Sequence, residues 1–169
     1  MVRCMKHPIK YALITIAGAL IASVAVMFCI FIWITRADID QSNGPTSRDR
    51  ALAHCSIPLP ASAHNIQYAS HAAGLQEGHF YVRFEAPVAD CYSNAKAIFA
   101  EQAKHSPHYV IPDFQPVSHP KREISSDLQI DWFDNDQISK GAVAGTGESW
   151  EPRIWIDEQR GIFYFEVND

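Results

Sequence analysis

Residues 11–35, YALITIAGALIASVAVMFCIFIWIT, run for twenty-five positions without a charge, between Lys10 and Arg36. As a helix rising 1.5 Å per residue, such a stretch is roughly 37 Å long, enough to cross a hydrocarbon core of about 30 Å with some tilt. The pattern predicts one membrane-spanning helix, with the lipid bilayer as its first partner. It also divides the chain into a basic tail (1–10), the span (11–35), a linker (36–56) and a following domain (57–169).

A cleavable signal peptide is the competing reading, because Ser23, Val24 and Ala25 resemble a small-x-small processing site. Cutting there would leave residues 26–35, with Phe28, Phe31 and Trp33, as a strongly apolar new N-terminus, so an uncut anchor fits better. Gly18 and Ala22 fall four apart on one face of the span, a spacing that lets two helix backbones approach closely. That face is the candidate surface for self-association in the membrane.

Charge sets the expected orientation. The tail carries Arg3, Lys6 and Lys10, whereas all 19 acidic residues follow the span beside 11 of the 14 basic ones, a net of −8. Short basic segments stay in the cytoplasm, so the N-terminus is expected inside and the C-terminal domain in the periplasm or outside the cell. An acidic domain lacks the basic patch that phosphate contacts require, which sets nucleic acid aside as a partner.

An oxidising compartment makes Cys55 and Cys91 a candidate disulfide. Closing that loop of about 36 residues would stabilise the fold by roughly 3–4 kcal/mol on the chain-entropy model. The alternative is a buried thiol at Cys91, on the apolar face of a helix, with Cys55 free in the linker.

Residues 36–56 are polar, include Asn43-Gly44-Pro45 and show no sustained apolar period, which reads as a linker. Ile57-Pro58-Leu59-Pro60 then favours an extended lead-in. Residues 65–68 form a short strand candidate, and 69–78 read as a turn. In residues 79–85, Phe80, Val82 and Phe84 alternate with Tyr81, Arg83 and Glu85, the period-two signature of a strand. After Pro87, the residues Val88, Cys91, Tyr92, Ala95, Ile98, Phe99 and Ala103 make one helical stripe that ends near His105 before Pro107.

Four prolines at 107, 112, 116 and 120 predict an extended surface loop. A short strand within 124–132 follows, then a helical turn capped by Asp134 and closed by Gly141, and a loop over 142–149. Residues 153–156 and 162–167 form a C-terminal hairpin, whose Gly161 suits the left-handed turn position. The expected fold class is α+β: an antiparallel sheet of about four strands with one main amphipathic helix on one face.

Chemistry-bearing motifs are sparse. Seven of the eight histidines lie between His54 and His119, but none is spaced as an HExxH pair. Asp131, Asp134 and Asp136 do not fit an EF-hand loop, whose glycine position would fall on Ser139. Residues 141–147, GAVAGTG, lack the Lys-Ser/Thr of a phosphate loop. No nucleophile motif is present, so no metal, cofactor or catalytic residue is expected and the balance leans away from an enzyme. Tyr81, Trp150, Trp155 and Tyr164 instead form a candidate aromatic binding patch on the uncovered sheet face, unless the proline-rich loop folds over it.

The residues therefore point to a single-pass membrane protein of the cell envelope whose outer domain binds another envelope protein. The alternative is an anchored hydrolase or small-ligand receptor with a polar cleft near Arg83, Arg153 and Asp131.

Overall fold

The first helix, α1, covers Pro8–Thr35, and its core from Thr15 to Ile32 is long and apolar enough to cross a membrane. None of that core is buried against protein: Ile21, Val24 and Met27 are each more than half exposed. An apolar helix with bare side chains needs an apolar solvent or partner, because water penalises every square ångström of it. In this computed structural model, residues 8–35, 37–42, 44–55, 57–73, 78–106, 108–118, 128, 130–145 and 151–168 are described. Met1–Arg36 and Ala37–Asp169 form two separate units.

The second unit is α+β, built on a seven-stranded antiparallel sheet. Its strands are β1 (Ala37–Gln41), β2 (His64–Ala73), β3 (Gly78–Glu85), β4 (Gln115–Pro116), β5 (Gly141–Ala144), β6 (Arg153–Asp157) and β7 (Ile162–Asn168), in spatial order β1-β2-β3-β7-β6-β5-β4. The helices are α2 (Arg48–His54) and α3 (Val88–His105), with a single 3-10 turn at Asn135–Gln137 among the described residues. Every strand pair is antiparallel.

About four strands were expected and seven are present: β1, β4 and β5 are added, and β2 is longer than expected. β1 lies in the stretch read as a linker. Its alternating acids, Asp38 and Asp40, suit a short, solvated edge strand as well as they suit a loop. The second half of β2, where a turn was expected, consists of Ala and Ser with one His, and it is held as strand by pairing with β1 on one side and β3 on the other. Tertiary pairing overrides a weak intrinsic preference there. β5 occupies the glycine-rich segment for a steric reason. A Cβ on Gly141 would land on the backbone carbonyl oxygen of Ile156, the neighbouring strand, so that position admits only glycine. Gly141 therefore starts a strand and does not close a helical turn.

One face of the sheet carries the larger core. Tyr68, Val82, Phe84, Ile154, Ile156, Phe163 and Phe165 pack against Cys91, Ala95, Ile98 and Phe99 of α3, with Ala51 of α2 and Ile57 and Leu59 of the lead-in. Pro87 is the N-cap of α3, and the helix ends at His105, as its stripe predicts. Asn94, which is not part of that apolar stripe, is 7 % exposed, and its Nδ2 has no hydrogen-bond partner among the described residues.

The other face is also covered. Tyr81, Trp155, Ile162 and Tyr164 are packed under Leu128, Ile130, Phe133 and Ile138, with Phe133 edge-on to Tyr81, Trp155 and Tyr164 at 5.1, 6.1 and 5.4 Å. This second core explains why both hairpin strands are apolar on both faces. The β6–β7 connection closes as read: Gly161 takes φ +69°, its N–H reaches the Asp157 carbonyl at 2.9 Å, and the Asp157 carboxylate accepts the N–H groups of Gln159 and Arg160.

Candidate functional site at the β1–α2 corner

The pocket is made by a mismatch in pairing length. Ser42 donates its N–H to the Tyr68 carbonyl at 2.9 Å, and Thr46 bridges to Ile66, with 2.8 Å between its N–H and the Ile66 carbonyl. Three residues on one side therefore face only Gln67 on the other. The excess chain, which includes Gly44 and Pro45, leaves the sheet edge as a bulge. The hollow it encloses has a volume of about 320 Å³ and is lined by Gln41, Ser42, Gly44, Pro45, Thr46, Arg50 and Tyr68.

α2 closes one side. Ser47 caps the helix by accepting the Arg50 N–H, Asp49 lies in the first turn and His54 in the last, both on the side the helix dipole favours. Arg48 bonds the carbonyls of Leu59 at 2.9 Å and Pro60 at 3.2 Å, which fixes the proline-rich lead-in behind α2. At the rim, His54 Nδ1 meets Asp40 Oδ2 at 2.8 Å, and the His54 ring stacks on Tyr68 with centroids 5.1 Å apart.

Burial raises the Tyr68 phenol above its ordinary value, and the Asp40 charge adds to that, while Arg50 works against it by hydrogen bond and charge. Burial, reinforced by Asp40, pushes the Cys55 thiol up to about 12, so the thiol stays protonated and the adjacent His54–Asp40 pair does not make it a nucleophile. Ser42 is occupied with Tyr68, its Oγ accepting the Tyr68 N–H at 3.0 Å. Arg50 makes no ion pair among the described residues, and it is the cation that lines the pocket. The corner is therefore suited to holding a small polar group through Arg50 and neighbouring hydroxyls, and it offers no activated nucleophile.

The residues singled out from sequence are distributed differently. Tyr81, Trp155 and Tyr164 are each at most 5 % exposed, so they are core and not a surface patch; Trp150 lies outside the described residues. Their cover is mainly the segment carrying Leu128 to Ile138, with Val117 of the proline-rich stretch packed at its margin. Cys55 and Cys91 are free, buried thiols and not a disulfide. Burial also pushes Cys91 up to about 11. Alkylation of the unfolded chain without reductant is thus expected to modify both cysteines, and mass spectrometry of the digest checks it. Gly18 has open space around it, so a larger side chain fits the helix itself.

Arg83, Arg153 and Asp131 are engaged separately. Arg153 lies over the Trp155 ring at 5.7 Å, Asp131 is exposed, and Arg83 pairs with Glu85 at 3.2 Å and Asp134 at 3.7 Å. Asp134 stands at the N-cap of the 3-10 turn, but its side chain makes no capping hydrogen bond. Its carboxylate accepts from Tyr164 at 2.6 Å and Arg160 at 2.8 Å, and Arg160 also grips Asp157 at 2.6 Å. This network fastens the second core's cover to the hairpin. Among the described residues, no three His, Cys, Asp or Glu side chains converge on a metal position.

Burial alone would raise the Asp134 carboxyl, but the hydrogen bonds from Tyr164 and Arg160 and the charges of Arg160 and Arg83 hold it below its ordinary value of 3.8. A carboxylate depressed in the folded state stabilises the fold above that ordinary value and loses the contribution as pH falls through the folded one. Asp134→Asn is therefore expected to lower stability at neutral pH and flatten the acid limb of a stability–pH curve. Denaturant titrations of the two proteins from neutral pH down into the acid range check it.

The pocket residues were not singled out from sequence. The available signal was Asn43-Gly44-Pro45, three turn formers that a linker and a bulge share. Comparison with protein-family models, curated proteins and solved structures gives no match to this chain.

Proposed function

We propose that this protein is a single-pass membrane-anchored interaction module of the cell envelope. α1 is the anchor, with Arg3, Lys6 and Lys10 on the cytoplasmic side, and the sheet domain lies in the periplasm or outside the cell. The observation that carries the proposal is the exposed apolar surface along α1, which none of the described residues of its own unit covers. The binding half is supported by the corner pocket, which presents Arg50, without an ion pair among the described residues, beside a buried Tyr68. The aromatic strands no longer contribute, since they form core.

A photo-crosslinking amino acid at Thr46, in the pocket, tests the binding half in intact cells. A matched label at Gln159, on the β6–β7 turn, is the control. A discrete crosslinked species at Thr46 and not at Gln159 is expected. The same diffuse set of neighbours at both positions would contradict it.

A further inference from the structure

We infer that the free edge of β1 and the corner pocket are one docking groove for an extended peptide that carries a carboxylate. Among the described residues β1 is the last strand on its side of the sheet, so one row of its backbone N–H and C=O groups has no strand partner there. Ile39, at its centre, is 46 % exposed. Gln41, the last residue of β1, is also the first to line the pocket, and the bulge with Gly44 and Pro45 lies directly beyond it on the same edge. A segment that adds to β1 by main-chain hydrogen bonds therefore runs into the pocket mouth, where a side chain or chain end leaves the strand. Edge pairing supplies sequence-tolerant affinity and the pocket supplies selectivity, as in other strand-addition sites.

The charge arrangement selects the group. Asp40 is taken by His54 and Arg48 by two carbonyls, whereas Arg50, hydrogen-bonded to the Tyr68 phenol, makes no ion pair among the described residues and lines the pocket. A planar guanidinium forms two parallel hydrogen bonds with a carboxylate, and a neighbouring hydroxyl adds a third donor. The pocket accordingly takes an Asp or Glu side chain or a free C-terminal carboxylate. The inference rests on the interaction-module proposal and names what its domain recognises.

Selection from a display library of random decapeptides with free C-termini, on the full chain in detergent micelles, tests it. Enriched peptides are expected to share a carboxylate at one position beside alternating strand-forming residues. Arg50→Gln is expected to erase the carboxylate preference, and Ile39→Pro, which disrupts the edge, to erase enrichment altogether. Enrichment that ignores both variants overturns the groove but leaves a binding module. No enrichment from the wild-type chain overturns both. If Ile39→Pro instead turns a dimer into a monomer with no peptide present, the occupant is a second copy and the peptide assignment is wrong.

Discussion

Phe133→Ala is expected to lower the stability of the sheet domain by about 3–5 kcal/mol, the usual effect of truncating a fully buried phenylalanine. Phe133 is 1 % exposed and stands edge-on to three aromatic rings from three strands, Tyr81, Trp155 and Tyr164. Its removal leaves a cavity that stacked strands cannot collapse around, and it frees the cover from the sheet. Guanidinium titration of the full chain in detergent micelles, followed by tryptophan fluorescence, reads the change. A loss below about 1 kcal/mol would mean that the second face is only loosely covered.

Gly141→Ala is expected to be as damaging for a different reason. The new methyl would collide with the Ile156 carbonyl and come within 2.9 Å of Ile138 Cγ2. The carbonyl belongs to the backbone of β6, so no rotamer change relieves the contact, and β5 must move away from β6. Overpacking of this kind commonly costs 1–3 kcal/mol, and a backbone collision places it at about 3 or above. The same titration measures it. Near-wild-type stability would show that β5 is not fixed to β6 at this register.

How much of this was legible in the sequence follows from which signals are local. α1, α3, β3 and the C-terminal hairpin were readable because long apolar periods and a Gly-containing turn announce themselves within a short window. β1, the second half of β2 and β5 were not. They are short, rich in Ala, Asp or Gly, and become strands only when a neighbour pairs with them. The second core was half legible. The two-sided hydrophobicity of Trp155 and Tyr164 required a cover, but nothing local said that Phe133 would supply it. The corner pocket was illegible because it depends on Ser42 and Thr46 pairing with residues twenty or more positions away. Asp134 was placed correctly at a cap position, but its side chain turns to distant partners, Arg160 and Tyr164, and not to the local backbone.

The anchor remains the element on which the proposed function depends. Alkaline carbonate extraction of membranes containing the full chain tests it most directly. The chain is expected to stay in the pellet and to be released only by detergent. Quantitative recovery in the carbonate supernatant would contradict membrane insertion by α1 and remove the basis for placing the domain outside the cytoplasm.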